Sequence, residues 1–548
     1  MADGEYHKLQ ALIVDDFDSF RVTVSKMLLE IGIEAIDSAV NGADALRHCK
    51  SKSYDLILCD HNLGKGKTGQ QVLEDLRYFG YQNRHTLFVL ISAESSKSII
   101  MAAYDYEPDA YLTKPVTTRT LQQRLTRLFA QRAVMTPIYH MIEAEDFASA
   151  IAACQKHIAS TGRYANHCQK LLGQLYLQIG EYHKAEQVYR DVLELRQLDW
   201  AQVGIARAKK AQGEYLAAQQ WLEEAVATNP LCMKAYDLQA EIFHEQQRNH
   251  ELQSVLQQAV EISPLSILRQ QYLGDTALLN NDSLTATQAY RRAVRLGENS
   301  CYDRAENYTG LARATIALHK QSPIKAKPFL RDAQKALSEL DQRFNKSLNT
   351  KTEVQLLEAQ LFNCNGERKK AEEYLQLART EMLKDDEQDN ENLDIQIELV
   401  RALFALGKRA AGDTLVESLL QRYKGREDEL QKLDRVLEEP VSEKNRSLVV
   451  AINKKGITFY KQNNFDAAIE YFDNALQTFP NHIGIRLNLV QALADKLKLE
   501  FTASDLKLAR DTLDYIETMI TQAHDQHRRY LQLQDTLRRM ETSRQNRE

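Results

Sequence analysis

The sequence predicts an α/β domain built on a parallel sheet, followed by a long all-α superhelix. Three observations carry this reading. Short apolar runs in the first part of the chain each end on a chemistry-bearing residue. Beyond Thr136 the composition turns rich in Ala, Leu, Gln, Glu and Arg with few prolines, which favours helix. Within that stretch small and apolar residues recur every 34 positions, as at 206, 240 and 274.

The apolar runs come first. Leu12-Ile13-Val14 precede Asp15-Asp16, the run ending at Cys59 precedes Asp60, Leu87 to Ile91 precede Ser92-Ala93, and Asp109 to Thr113 precede Lys114-Pro115. Such runs, separated by stretches of helical period, read as parallel strands whose ligands gather at their carboxyl ends, so all four groups converge on one pocket. Carboxylates brought together repel one another and call for a hard cation. Oxygen ligands without His or Cys suit Mg²⁺. The metal and Lys114 would neutralise an incoming phosphoryl group, Ser92 adds a hydroxyl donor, and Asp60 is the expected nucleophile, forming an aspartyl phosphate.

Residues 8 to about 132 resemble a response-regulator receiver domain, with spacings from Asp16 to Asp60 (44) and from Ser92 to Lys114 (22) close to those of single-domain chemotaxis receivers. The resemblance implies a flavodoxin-like α/β fold with a five-stranded parallel sheet. It implies that Asp15, Asp16, Asp60 and the backbone carbonyl of Asn62 hold Mg²⁺, and that Asp60 is phosphorylated by a histidine kinase or phosphotransfer protein. Ser92 and Lys114 become the switch contacts, Tyr111 the rotating aromatic, and Asn62 and Glu94 the positions that tune phosphoryl lifetime. One departure is the loop from His61 to Gly69, which lacks the family's usual Pro, is one residue longer and carries two extra lysines expected to affect access to the pocket. Gly66-Lys67-Thr68 in that loop is not read as a nucleotide-binding loop, because His61 stands where such a loop needs glycine.

The helical region repeats. Ala206, Ala240 and Gly274, then Ala218, Leu252 and Ala286, then Ala225, Ala259 and Ala293 each advance by 34, and Pro230 and Pro264 keep the step. Further copies run through Gly173, Tyr176, Gly180, Ala185 and Tyr189, through Ala359, Phe362, Gly366 and Ala371, through Val400, Leu403, Gly407 and Gly412, and through Gly456, Phe459, Phe465, Ala468, Phe472 and Ala475. Small residues let paired helices approach, and an aromatic fills the hole opposite. The region resembles a tetratricopeptide (TPR) array, whose stacked pairs form an extended concave binding surface. The aromatic stripe is read as core. Polar positions on first helices are the expected groove contacts for a protein or peptide ligand: Lys170, Gln174, Arg207, Lys210 and Asn453, with Asp237, Glu241, Gln271, Asp275 and Lys461 beside them.

The expected organisation is a receiver over residues 1–132, repeats over 133–526 and a basic helix or tail over 527–548. The last receiver helix should run past Arg132, with Pro137 restarting a helix; the absence of a Gly/Ser linker predicts stiff coupling. Longer helices are expected over 299–351, and exposed connections over 383–394 and 425–446. A net charge of −6 and arginines interleaved with acids near the C-terminal end argue against DNA binding. Seven scattered cysteines suggest neither disulfides nor zinc, and neither a leader nor a membrane-length apolar run is seen, so a cytoplasmic protein with reduced thiols is expected. No output enzyme is expected. The reading is a response regulator whose phosphorylation exposes, occludes or dimerises a protein-binding array. The alternatives are a phosphate sink or kinase-docking regulator, and an RNA-associated scaffold with a minor receiver.

Overall fold

Strands buried on both faces build the first module. In the computed structural model, strands β1 (Gln10–Val14), β2 (Ala35–Ala39), β3 (Leu56–Asp60), β4 (Leu87–Ser92) and β5 (Ala110–Thr113) form one parallel sheet in the order β2-β1-β3-β4-β5. The structure describes residues 6–81, 85–93, 96, 101, 105–160, 163–344, 348–384, 392–517, 519–522 and 524–545. Alternate residues of the strands face opposite layers. Ala11, Ile13, Leu56, Leu58, Val89 and Ile91 pack with Val24 and Leu28 of α1 (Asp18–Ile31) and with Leu121, Leu125 and Phe129 of α4 (Thr118–Glu143). Leu12, Val14, Ile57, Cys59, Phe88 and Leu90 pack instead with α2 (Gly42–Ser51) and α3 (Gly69–Tyr78). Both faces of the central strands are therefore covered, which is why they read as unbroken apolar runs.

Helix α4 corrects one expectation. Pro137 does not restart a helix but lies inside this one, so residues 132 and 133 belong to a continuous element. A proline removes one backbone donor from the helix interior. Here Met135 and Ile138 on either side of it are buried in the next hydrophobic cluster, with Cys154, Leu172 and Tyr176, and that burial holds the helix through the defect. The first half of α4 serves the sheet, and its second half serves the helical region.

The turn after α4 has the same form as the turns inside the repeats. Glu145 takes φ +57°, and Asp146 N donates to Met141 O at 2.8 Å. Gly180 takes φ +81°, with Glu181 N donating to Tyr176 O at 2.8 Å; Gly213 takes φ +80°, with Glu214 N donating to Lys209 O at 2.9 Å. Positions 213, 247 and 281, spaced by the 34-residue step, all carry positive φ. Asp146 caps α5 (Phe147–Ala159) through Ser149 N at 3.0 Å, which makes the end of α4 and α5 the opening helix pair.

Pairs continue as α6 (Ala165–Gln178) with α7 (Tyr182–Leu195), α8 (Asp199–Ala211) with α9 (Tyr215–Thr228), α10 (Met233–Glu245) with α11 (Asn249–Ile262), and α12 (Ile267–Leu279) with α13 (Ser283–Gly297). Tyr189 is wedged between helices. A methyl on Gly173 would meet its ring at 2.3 Å and one on Gly204 at 2.5 Å. The chain divides into two compact units, Met1–Leu273 with Arg292–Arg304, and Gly274–Arg291 with Ala305–Glu548.

In the second unit the long helices expected after 299 are Ala305–Gln321 and Pro323–Arg343. The 425–446 stretch is not merely an exposed connection. It contains the helix Glu427–Asp434, and the buried Asp434 accepts from Ser442 N at 3.3 Å and Asn445 Nδ2 at 2.8 Å, which ties the segment inward. The helix His527–Gln545 packs Tyr530, Leu533 and Leu537 into a core with Leu489, Val490 and Leu493. No helix among the described residues is long and apolar enough to cross a membrane.

Candidate functional site

The strand order gathers the predicted residues at one sheet edge. β1 pairs with β3 and β3 with β4, so Asp15 just past β1, Asp60 at the end of β3 and Ser92 at the end of β4 stand side by side. Lys114 follows β5, and its N–H donates to Ser92 O at 2.8 Å. Its ammonium lies 2.9 Å from Asp15 Oδ2 and 2.9 Å from Asp60 Oδ1, and 4.0 Å from the centre of the Phe20 ring. Asp15 is held from behind: its Oδ1 accepts from Phe17 N at 2.8 Å and its carbonyl from Arg21 Nη1 at 2.7 Å.

The carboxylate oxygens of Asp15, Asp16 and Asp60 lie within 4.8 Å of one another. Asp15 and Asp60 are buried and Asp16 is exposed. Burial pushes the Asp60 carboxyl above its usual range; Lys114 opposes that rise, Asp15 adds to it, and the Asn62 N–H draws it back. For Lys114 burial works against the charged form, but hydrogen bonds to Asp15 and Asp60 outweigh it and the ammonium is held above its usual range. Three carboxylates against one ammonium leave the cup short of positive charge. An all-oxygen donor set with excess negative charge fits a hard divalent cation such as Mg²⁺.

Tyr111 is half-buried on β5, opposite Leu90 in register, and packs at the margin of the Leu12–Val14–Phe88 layer. The side chain of Asn62 is exposed and accepts from Gly64 N at 3.2 Å. Glu94 lies outside the described residues. Of the two loop lysines, Lys67 is turned from the cup: it pairs with the buried Asp75 at 2.9 Å and donates to the carbonyl of Asn299.

The expected groove residues do different things. Lys170 is half-buried, and burial together with neighbouring Lys234 lowers its affinity for a proton, while Glu107 opposes this. Gln174 and Arg207 are exposed. Lys210 is spent within the array on Glu241 at 3.1 Å and Glu245 at 2.9 Å, and Asn453 accepts from Asn488 Nδ2 at 3.0 Å. Asp237 and the unpredicted Arg269 form a two-pronged pair, both bonds at 2.8 Å, and Arg269 continues to Asp105. Arg21, Phe20, Arg269 and Asp105 escaped sequence reasoning because none belongs to a motif or to the repeat period.

The family profile "Response regulator receiver domain" matches residues 11–126. Profiles for the tetratricopeptide repeat match residues 169–199, 203–266 and 449–482. The chain is 30% identical over 121 residues to chemotaxis protein CheY-3 of Vibrio cholerae serotype O1, an alignment spanning 22% of this chain and 92% of the relative. It is 27% identical over 121 residues to chemotaxis protein CheY of Pseudomonas aeruginosa, spanning 22% of this chain and 96% of that one. Among solved structures, response regulator protein TrrA from Thermotoga maritima, in complex with Mg²⁺ and BeF, shares 26% identity and covers 22% of this chain and 98% of its own, with a TM-score of 0.20. The chain belongs to the response-regulator family through its receiver domain, and tetratricopeptide repeats follow that domain.

Proposed function

We propose that the protein accepts a phosphoryl group on Asp60 from a histidine kinase or phosphotransfer protein and thereby controls which protein its repeat array holds. The observation that carries this reading is the Lys114 ammonium, 2.9 Å from both Asp15 and Asp60 at the mouth of an all-oxygen acidic cup. Asp60 is the nucleophile: one of its carboxylate oxygens forms the new P–O bond, the P–N bond of the phosphohistidine donor breaks, and the departing imidazole nitrogen takes a proton from solvent. Asp15, Asp16, Asp60 and the Asn62 carbonyl would hold Mg²⁺, which would supply charge neutralisation for the incoming group. Lys114 is placed to leave Asp15 and pair with a phosphoryl oxygen. Ser92 offers its hydroxyl to another, and Tyr111 follows Ser92 inward as the two-state element.

The receiver then hands over within α4, and the repeats act as a protein-binding output without catalysis of their own. All seven cysteines are free thiols, which supports a cytoplasmic setting. The test is incubation with acetyl phosphate and Mg²⁺ followed by intact mass measurement. A gain of about 80 Da, one phosphoryl group, is expected for the wild type and not for Asp60→Asn. An unaltered wild-type mass, while a known receiver in the same tube is labelled, would sink the phosphoacceptor reading.

A further inference from the structure

Among the described residues, receiver and array meet within the first compact unit at several places, and two of these lie at α3 and at the segment before β5. Near α3, Gln71 Nε2 donates to Glu298 O at 2.9 Å, Ser300 Oγ to Glu74 Oε2 at 2.9 Å, and the rings of Tyr78 and Tyr302 meet edge to face at 5.5 Å. At the second place, the receiver segment Asp105-Tyr106-Glu107 is received by residues of the array. Arg269 Nη1 lies 2.8 and 2.9 Å from the two Asp105 oxygens, Ser263 Oγ donates to Asp105 Oδ2 at 2.8 Å, and Lys234 donates to Glu107. Tyr106 stacks on Tyr302 with ring centres 6.4 Å apart.

Two array cations bond this segment directly, Lys234 and Arg269; Lys170 lies within electrostatic reach of Glu107 and of Arg207 beside it, and the receiver's own Arg77 donates to Glu107 O at 2.6 Å. The array supplies two carboxylates among them, Asp199 and Asp237, and the receiver supplies the other two, Asp105 and Glu107. Removing the receiver segment would therefore uncover a net cationic groove on first helices of successive repeats, where Lys170 and Arg207 were expected to meet a ligand. Asp105 is held at a cost. Burial raises its carboxyl above the usual range in spite of Arg269, so its desolvation is incompletely repaid.

We infer that the groove formed by Lys170, Arg207, Lys234 and Arg269 binds an acidic peptide segment of a partner protein, and that Asp105-Tyr106-Glu107 of the receiver is its built-in competitor. Partner binding and receiver docking are then mutually exclusive. The connection to the phosphorylation site is short. Lys67, in the loop that follows Asp60, donates to Asn299 O, so a rearrangement of that loop acts on the array contact directly. This link rests on the function proposed above; the groove chemistry does not.

The test uses the full unphosphorylated chain and a fluorescein-labelled peptide Asp-Tyr-Glu-Pro-Asp, the sequence of residues 105–109, read by fluorescence anisotropy. Asp105→Asn with Glu107→Gln should lower the peptide Kd by about tenfold or more relative to wild type, the scale of about 1.4 kcal/mol. Adding Lys234→Glu, an exposed position, should reverse the gain. Equal Kd in the wild type and the opened variant, or tight binding undiminished by Lys234→Glu, would overturn the proposal. If the double change abolishes the thermal transition, Glu107→Gln alone is judged by the same two criteria. Because no arm is phosphorylated, failure here leaves the Asp60 chemistry standing, and failure of the mass-gain test leaves the groove standing.

Discussion

Gly69 stands so close to Asp60 that a methyl group added to it would meet the Asp60 carbonyl oxygen at 2.0 Å and the Cys59 sulfur at 3.0 Å. Gly69 opens α3 behind the Thr68–Gln71 capping box, so the loop carrying Lys67 is tied down within one turn of the proposed phosphoacceptor.

Gly69→Ala is therefore expected to be costly. The obstacle is backbone, which cannot rotate away, so the change should cost about 3 kcal/mol, the upper part of the range for overpacking. It should also displace Asp60 from Lys114. Chemical denaturation reports the first effect, and the rate of labelling by acetyl phosphate the second. A variant with unchanged stability would mean that α3 can shift freely against β3.

Asp60→Asn should stabilise the cation-free protein at neutral pH. An unfolded aspartate titrates near 3.8, and the folded-state value is raised, chiefly by burial. Between the two values the folded chain keeps a proton that the unfolded chain has lost. Stability thus falls as pH rises through that window, and the full penalty stands above it. Removing the charge leaves Lys114 paired with Asp15 at 2.9 Å, so little is lost in exchange. In EDTA at pH 7 the variant should melt about 2–4 °C higher, roughly 1 kcal/mol for a domain of this size, and the advantage should vanish below the unfolded value. A lower melting temperature at pH 7 would contradict this account of the cup.

Mg²⁺ should act in the same direction. A cation that binds only the folded cup stabilises it by RT ln(1 + [L]/Kd), about 2.7 kcal/mol at a hundredfold excess over Kd. Melting in Mg²⁺ and in EDTA should differ for the wild type, and Asp15→Asn with Asp16→Asn should remove most of that difference. Equal shifts in both proteins would place the ion elsewhere.

The parts of this molecule that local rules govern were legible in the residues. Apolar runs ending on Asp60, Ser92 and Lys114 specify strands and the edge at which they meet, and the 34-residue step reappears in the backbone as positive φ at positions 213, 247 and 281. What escaped depends on distant partners. Pro137 reads as a helix start, yet Met135 and Ile138 are buried in a second core and carry α4 across it. Arg269 and Asp105, 164 residues apart, belong to no period and meet only because these repeats pack within the receiver's own compact unit. Charged residues 425–446 read as an exposed connection, but the hydrogen bonds to Asp434 turn the segment inward.

Tyr189 gives the strongest test of repeat packing. Its ring occupies the space that Gly173 on one helix and Gly204 on another leave open, it is 2% exposed, and burial pushes its phenol up to about 12. Tyr189→Ala would leave a cavity between α6, α7 and α8 that glycines cannot fill, at a cost of about 3–5 kcal/mol. Gly173→Ala attacks the same contact from the other side and should be destabilising by overpacking. Combined with Tyr189→Ala it should cost little more, since the added methyl then enters the cavity. A double-mutant cycle by denaturant unfolding reads this coupling; strictly additive losses would show that the ring and the two glycines are not packed as one unit.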